Sequence, residues 1–115
     1  MSAPTDSLFV SDFAAAEVSS ALSRLTRMKF LTLTAAAAFL QDFDAWRAGV
    51  TSAADVISTD FKLADTFVRR FDLGLRAPDA LHVAVCRRAN HRLVTLDTRL
   101  AAAATTLGVA VDRPA

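Results

Sequence analysis

The fold is decided by residues 75–86, which read LRAPDALHVAVC. Pro78 suits the start of a helix, because its fixed φ angle is helical and its missing N–H has no partner to lose there. After Asp79, every residue up to Cys86 is apolar except His82, which is typical of a helix buried in a core. Asp79 has two open interpretations. It is either a carboxylate favoured by the helix dipole or a metal or acid–base ligand held at the edge of the core.

Length and composition predict one globular domain over residues 1–115. Apolar residues make up 53% of the chain and charged residues 22%, which is the balance of a folded protein. Cys86 is the single cysteine, so no internal disulfide can form. No signal peptide is recognisable, and no apolar run approaches the roughly 18 residues of a membrane span. We therefore expect a cytoplasmic protein.

The net charge of +1 argues neither for nor against a nucleic-acid partner. Basic side chains are concentrated after residue 60, and arginines at positions 69, 70, 76, 87, 88, 92 and 99 provide most of this excess. This part of the chain could contact phosphates, although a solvated polar face is the commoner explanation of such arginines.

Apolar strands alternate with helices along the chain, which predicts a parallel sheet covered on both faces. The patterns predict strands over Ser7–Val10, Arg92–Leu96 and Val109–Val111, an extended piece over Asp55–Ser58, and helices over Phe13–Lys29, Ala35–Ala48, Phe61–Phe71, Pro78–Ala89 and Thr98–Leu107. We expect Ser11 or Asp12, Thr32 or Thr34, and Thr59 or Asp60 to cap the first three helices.

Two of these helices carry informative faces. Glu17 falls within the apolar arc of the first helix, where an ionised carboxylate is costly unless it is paired, hydrated or bound to a metal. An acid that turns outward to water is an equally good interpretation of Glu17. In the second helix, Phe39, Phe43 and Trp46 recur at spacings of four and three, which predicts a stripe facing the core.

Acidic side chains also occur at the ends of these elements. Asp97 follows the strand over Arg92–Leu96, Asp79 begins a helix, and Glu17 lies early in the helix after the first strand. Active sites of open α/β sheets gather at the carboxyl ends of the strands, so the three acids could meet at one rim. Their mutual repulsion would call for a cation, and hard oxygen ligands suit Mg²⁺ or Mn²⁺. The pattern predicts metal-assisted hydrolysis of a phosphodiester.

The sequence lacks the motifs of several other enzyme and metal-site classes. The sequence contains no nucleophile elbow, no Walker loop and no zinc-binding spacing of cysteine and histidine. His82 and Cys86 lie four residues apart on one predicted helix, but two ligands do not make a zinc site.

Three blocks of sequence, taken together, resemble the PIN-domain ribonucleases of the VapC toxin type. They are residues 10–18 (VSDFAAAEV), 75–84 (LRAPDALHVA) and 93–100 (LVTLDTRL). The resemblance implies a three-layer α/β/α sandwich with a short parallel sheet. It also implies Mg²⁺- or Mn²⁺-dependent cleavage of RNA, a homodimer, and a cognate antitoxin. The acids of the family map onto Glu17, Asp79 and Asp97 as catalytic and metal-binding residues.

The resemblance departs from the family in one respect. Such proteins open with a central strand that carries the first catalytic aspartate, and this strand has no counterpart before residues 8–10 here. We expect either that the protein starts further upstream or that the chain is a shortened form, and we favour the first because three acids remain. On this expectation residues 1–115 alone cleave RNA poorly, and a form extended at its N-terminus regains the activity.

Two alternatives to the ribonuclease stay open. The chain could be a catalytically inactive PIN-like binding module that dimerises or captures an antitoxin. It could also be a metal-dependent phosphoesterase that acts on DNA or on a small phosphate ester.

Overall fold

A computed structural model of the protein describes residues 8–114. The chain divides into two compact units, a first unit over Met1–Asp55 and a second unit over Val56–Ala115. The first unit contains β1 (Leu8–Ser11), α1 (Asp12–Arg27), α2 (Leu33–Val50) and β2 (Thr51–Ala54). The second contains α3 (Ser58–Val68), a 3₁₀-helix (Phe71–Leu73), α4 (Ala77–Ala89), β3 (Leu93–Val94), α5 (Thr98–Thr106) and β4 (Val111–Asp112).

The two helices of the first unit begin at caps that the sequence predicts. The Ser11 hydroxyl accepts a hydrogen bond from the Ala14 N–H at 3.0 Å, and the Thr32 hydroxyl accepts one from the Ala35 N–H at the same distance. These bonds satisfy amide groups that have no partner within the helix, which fixes where α1 and α2 start.

The strands of the first unit pair in parallel, with Leu8 opposite Thr51 and Ser11 opposite Ala54. The strand thus lies four residues before the predicted extended piece over Asp55–Ser58. Within that piece Ile57 has an extended backbone, with φ −116° and ψ 167°, whereas Ser58 already begins α3. The residues of β2 read TSAA, which carry little strand propensity, so their pairing with β1 is what makes them a strand. Ser7, the first residue of the predicted strand, lies outside the described residues.

The helix α3 begins at Ser58 and ends at Val68, three residues before each predicted boundary. Neither Thr59 nor Asp60 is its cap, which is Ile57. The Asp60 carboxylate instead reaches back one turn, where its Oδ2 accepts a hydrogen bond from the Ile57 N–H at 2.9 Å. Asp60 therefore stabilises the start of the helix from inside its first turn.

The core of the second unit is built around α4, as the apolar run after Asp79 predicts. Ala80, Val83 and Ala84 are completely buried, and Leu81 and Val85 are nearly so. They pack with Phe67 of α3, and alanines of α5 are buried in the same unit. Cys86, predicted to be a buried apolar group, is half-buried.

The aromatic stripe of α2 does not reach a core. Phe39 and Phe43 stack with ring centroids 6.4 Å apart, and Phe43 contacts Trp46 with centroids 6.0 Å apart. Yet Phe39 is 51% exposed and Trp46 is 41% exposed, and no residue of α2 is buried. The prediction of a core-facing stripe is therefore wrong. A helical spacing shows which residues share a face, but not whether anything covers that face.

Parallel strands joined by helices confirm the predicted α/β class. Within residues 8–114 the strands form two separate two-stranded parallel sheets, one of which pairs β3 with β4. In the same part of the chain, no helix is both long enough and apolar enough to cross a membrane.

Candidate functional site

Asp79 is placed by the N-terminus of α4. Arg76 is the residue before the helix, with an extended backbone at φ −87° and ψ 159°, and Pro78 lies in the first turn. Asp79 follows Pro78, so its carboxylate lies where the helix dipole favours negative charge. The side chain is half-buried, and it has no hydrogen bond or ion pair with any residue in the range 8–114. Its charge is therefore available for a ligand.

Asp97 is placed by the turn that joins β3 to α5. It is the N-cap of α5, and its Oδ1 accepts hydrogen bonds from the Arg99 N–H at 2.9 Å and the Leu100 N–H at 3.2 Å. The Asp97 N–H in turn donates to the Thr95 hydroxyl at 3.0 Å. These bonds hold the carboxylate in one orientation. They occupy Oδ1 and leave Oδ2 without a hydrogen bond to the described part of the chain.

Asp79 and Asp97 line the same cleft of the second unit, which has a volume of about 330 Å³. The other lining residues come from the segment before α4 and from the start of α5: Leu73, Gly74, Leu75, Arg76, Arg99 and Leu100. The structure thus brings together two of the three acids that the sequence identifies, although 17 residues separate them along the chain.

Glu17 lies in the second turn of α1, in the first unit, and its side chain is half-buried. Its place in the apolar arc therefore leaves it only partly exposed to water. Across residues 8–114, no three His, Cys, Asp or Glu side chains form a group that could hold a metal ion. The role of Glu17 stays a prediction.

The two aspartates of the cleft nevertheless have the donor chemistry of a Mg²⁺ or Mn²⁺ site. Both offer hard carboxylate oxygens, and the cleft has room for water. Mg²⁺ is usually held by one or two carboxylates, with water and substrate phosphate completing its coordination. Two aspartates on rigid helix termini fit that requirement.

The sequence did not assign a role to three other residues of the cleft. Arg76 and Arg99 belong to the general excess of arginines after residue 60, and no pattern in the sequence singles out Gly74. Gly74 has a left-handed backbone, with φ +65° and ψ 28°. A Cβ at this position would lie 3.0 Å from a terminal nitrogen of Arg99, so the glycine makes room for that guanidinium. The signal in the sequence is that each acid has an arginine close to it along the chain. Arg76 lies three residues before Asp79, and Arg99 lies two residues after Asp97.

Residues 1–105 match the model of the PIN domain family. No curated protein matches the chain significantly.

Proposed function

The chain belongs to the PIN domain family, and on that basis we propose that it is a metal-dependent endoribonuclease, the toxin of a VapBC-type toxin–antitoxin system. PIN domains are generally metal-dependent nucleases. The observation that carries the proposal is the cleft that Asp79 and Asp97 share, because both carboxylates lie there and neither has an ion pair within residues 8–114.

In this proposal Asp79 and Asp97 are catalytic residues and hold Mg²⁺ or Mn²⁺. A catalytic and metal-binding role for Glu17 is proposed from the family resemblance alone. When bound, the ion supplies positive charge to the scissile phosphate and makes water a stronger nucleophile at neutral pH. The first turn of α4 presents Asp79 from a buried helix, so its position is rigid. The capping hydrogen bonds of Asp97 use its Oδ1, so its Oδ2 is left to act as a ligand.

The reaction is hydrolysis of a phosphodiester bond of RNA. A water oxygen forms the new bond to phosphorus, the bond to the leaving oxygen of the strand breaks, and that oxygen takes up a proton. No side chain needs to form a covalent intermediate. We propose in addition that the protein acts as a homodimer and that a cognate antitoxin blocks the cleft.

The test is Mn²⁺-dependent cleavage of single-stranded RNA by the wild type and by Asp79→Asn and Asp97→Asn. Asparagine caps a helix about as well as aspartate, so Asp97→Asn removes the charge and keeps the cap. Asp42→Asn is the matched control, because Asp42 is an exposed acid of α2 outside the cleft. Where the reading frame continues upstream of Met1, the longer form is measured beside residues 1–115.

In the form that cleaves RNA, we expect each cleft variant to lose at least about 100-fold in rate, and Asp42→Asn to keep the wild-type rate. Equal rates for the wild type and both cleft variants would remove the two aspartates from the mechanism. Cleavage of DNA or of a small phosphate ester in preference to RNA would favour the phosphoesterase alternative.

A binding module without catalysis is the second candidate function. It is favoured by the exposed aromatic stripe of α2, since contiguous exposed apolar side chains often mark a protein interface. A protein that captures the antitoxin but shows no heat of Mn²⁺ binding in calorimetry would support this candidate against the nuclease.

A further inference from the structure

Most arginines of the second unit are committed to partners inside the protein. Four are ion-paired with aspartates: Arg69 with Asp65, Arg70 with Asp72, Arg88 with Asp60, and Arg92 with Asp112. Arg87 lies over the Phe67 ring, 5.8 Å from its centroid, and Arg113 donates to the Leu96 carbonyl at 3.0 Å. Each of these six guanidinium groups therefore has a partner within the second unit.

Arg76 and Arg99 are the exceptions in this unit. Neither guanidinium has a hydrogen bond or an ion pair with any residue between 8 and 114, and both side chains are exposed. Both also line the cleft that contains Asp79 and Asp97, yet neither forms a salt bridge with either aspartate. The cleft thus holds two guanidinium groups and two carboxylates that are not ion-paired with one another.

The backbone at Gly74 leaves space for the Arg99 side chain. Gly74 adopts a left-handed conformation, and its missing Cβ leaves the space in which a terminal nitrogen of Arg99 lies. The guanidinium therefore lies next to Gly74, two residues before Arg76 in the segment that leads to α4, and both arginines line the cleft.

An exposed aromatic ring lies close by in the chain. Phe71 is 85% exposed and begins the 3₁₀-helix that ends at Leu73, a residue of the cleft. Burial does not explain an aromatic side chain at this position. In single-stranded RNA, bases that are free of their neighbours stack on such rings. A guanidinium group, in contrast, binds two oxygens of one phosphate at the same time.

We propose that Arg76 and Arg99 bind backbone phosphates of a single-stranded RNA beside the aspartates, and that Phe71 stacks against one of its bases. This inference rests on the proposed ribonuclease function and assigns the substrate-binding side of the same cleft. The arginines orient the strand, while the aspartates act at the bond that is cleaved. An acidic peptide could use the same two arginines, but it would bring further carboxylates to Asp79 and Asp97 and would offer no base to Phe71.

The experiment measures RNA binding without cleavage. Anisotropy of a short fluorescent single-stranded RNA is followed in EDTA at several NaCl concentrations, for the wild type and for Arg76→Ala, Arg99→Ala and Phe71→Ala. Each phosphate contact contributes about −0.7 to the slope of log Kobs against log [salt] for single strands. We expect each arginine variant to bind more weakly and to lose about 0.7 from the magnitude of the slope. We expect Phe71→Ala to bind several-fold more weakly with the slope unchanged.

Arg24→Ala and Phe30→Ala are the matched controls. Arg24 is an exposed arginine without a side-chain partner among the described residues, and Phe30 is 73% exposed, and both lie in the first unit. Both controls should bind like the wild type, and Arg76→Lys should keep the slope. Unchanged slopes for Arg76→Ala and Arg99→Ala, or an equal loss in Arg24→Ala, would overturn the proposal. Displacement of the RNA by an equimolar glutamate-rich peptide would also overturn it, in favour of an acidic protein partner.

The outcomes separate this inference from the function on which it rests. If the slopes change as expected but the protein cleaves no RNA with Mn²⁺, the nuclease proposal is contradicted. The phosphate contacts of Arg76 and Arg99 are then still supported. Mn²⁺-dependent cleavage with unaltered slopes would support the nuclease and contradict the phosphate contacts.

Discussion

The Nε of Arg88 in α4 donates a hydrogen bond to the Oδ1 of Asp60 in α3 at 2.6 Å. Asp60 is 1% exposed, while the Arg88 side chain is 32% exposed. The second carboxylate oxygen accepts from the Ile57 N–H, so both oxygens of this buried group are satisfied. The pair joins α3 to the helix that presents Asp79, and it therefore ties the stability of the second unit to the geometry of the cleft.

Asp60→Asn should destabilise the protein by about 3 kcal/mol at pH 7, because the nearly buried ion pair loses one partner. Asp65→Asn is the matched control, since the Asp65–Arg69 pair is exposed and is worth only about 0.3–0.5 kcal/mol. Urea unfolding followed by circular dichroism measures both variants. Equal effects of the two substitutions would show that burial adds nothing to the Asp60 pair.

The same pair predicts how stability depends on pH. Burial opposes the charge of Asp60, but the hydrogen bonds from Arg88 and Ile57 and the charge of Arg88 outweigh it and lower its pKa in the folded state. The unfolded chain then binds the proton more readily. The stabilisation is present above the unfolded value of about 3.9 and is lost as the pH falls through the folded pKa. Thermal melts below about pH 4 should fall less steeply for Asp60→Asn than for the wild type, and parallel curves would contradict this.

Substitutions of two glycines by alanine should have opposite effects on the stability of the protein. Gly74→Ala places a side chain on a left-handed backbone against Arg99, so it should cost about 1–2 kcal/mol. Gly49→Ala lies inside α2 with nothing within 4 Å of the new Cβ, so it should stabilise by about 0.5–1 kcal/mol. Thermal melts of the two variants provide the measurement, and a gain in stability for Gly74→Ala would be inconsistent with the described turn.

Gly108→Ala separates backbone strain from the effect on Arg99. Gly108 also has a positive φ, +85°, but a Cβ there meets nothing within 4 Å. The Gly108→Ala variant should be less stable but bind RNA like the wild type, whereas Gly74→Ala should lower both the stability and the RNA affinity.

Cys86 should react slowly with iodoacetamide in the folded protein. Burial raises the pKa of its thiol from 9.0 to about 11, so at pH 8 it carries about 100-fold fewer thiolates than an unperturbed thiol. Labelling followed by mass spectrometry should accelerate sharply in urea, since the thiol returns to water when the second unit unfolds. Equal rates with and without urea would contradict the burial of Cys86.

The sequence was informative wherever a local rule decides the structure. Pro78, Asp79 and the apolar run after them predicted α4 and its burial, because helix starts and continuous apolar runs follow from neighbouring residues. The position of Asp97 after a strand and before a helix likewise predicted a place at the edge of the sheet. These two acids share a cleft, as the sequence suggested for the carboxyl ends of its elements.

Features that depend on distant contacts were not predictable in the same way. The strand β2 exists because Thr51–Ala54 pair with β1, a contact that their own composition does not indicate. The exposure of Phe39 and Trp46 depends on what covers α2, which helical periodicity does not encode. Arg76 and Arg99 differ from the other arginines of the second unit in lining the cleft and in lacking a side-chain partner among the described residues. Both differences become visible only in the folded chain.

The most direct test of the central claim is calorimetric titration of Mn²⁺ into the wild type, Asp79→Asn, Asp97→Asn and Asp42→Asn. If Asp79 and Asp97 hold the ion, each of their variants should bind Mn²⁺ at least about 10-fold more weakly, while Asp42→Asn binds it like the wild type. Wild-type affinity in both cleft variants would contradict the account.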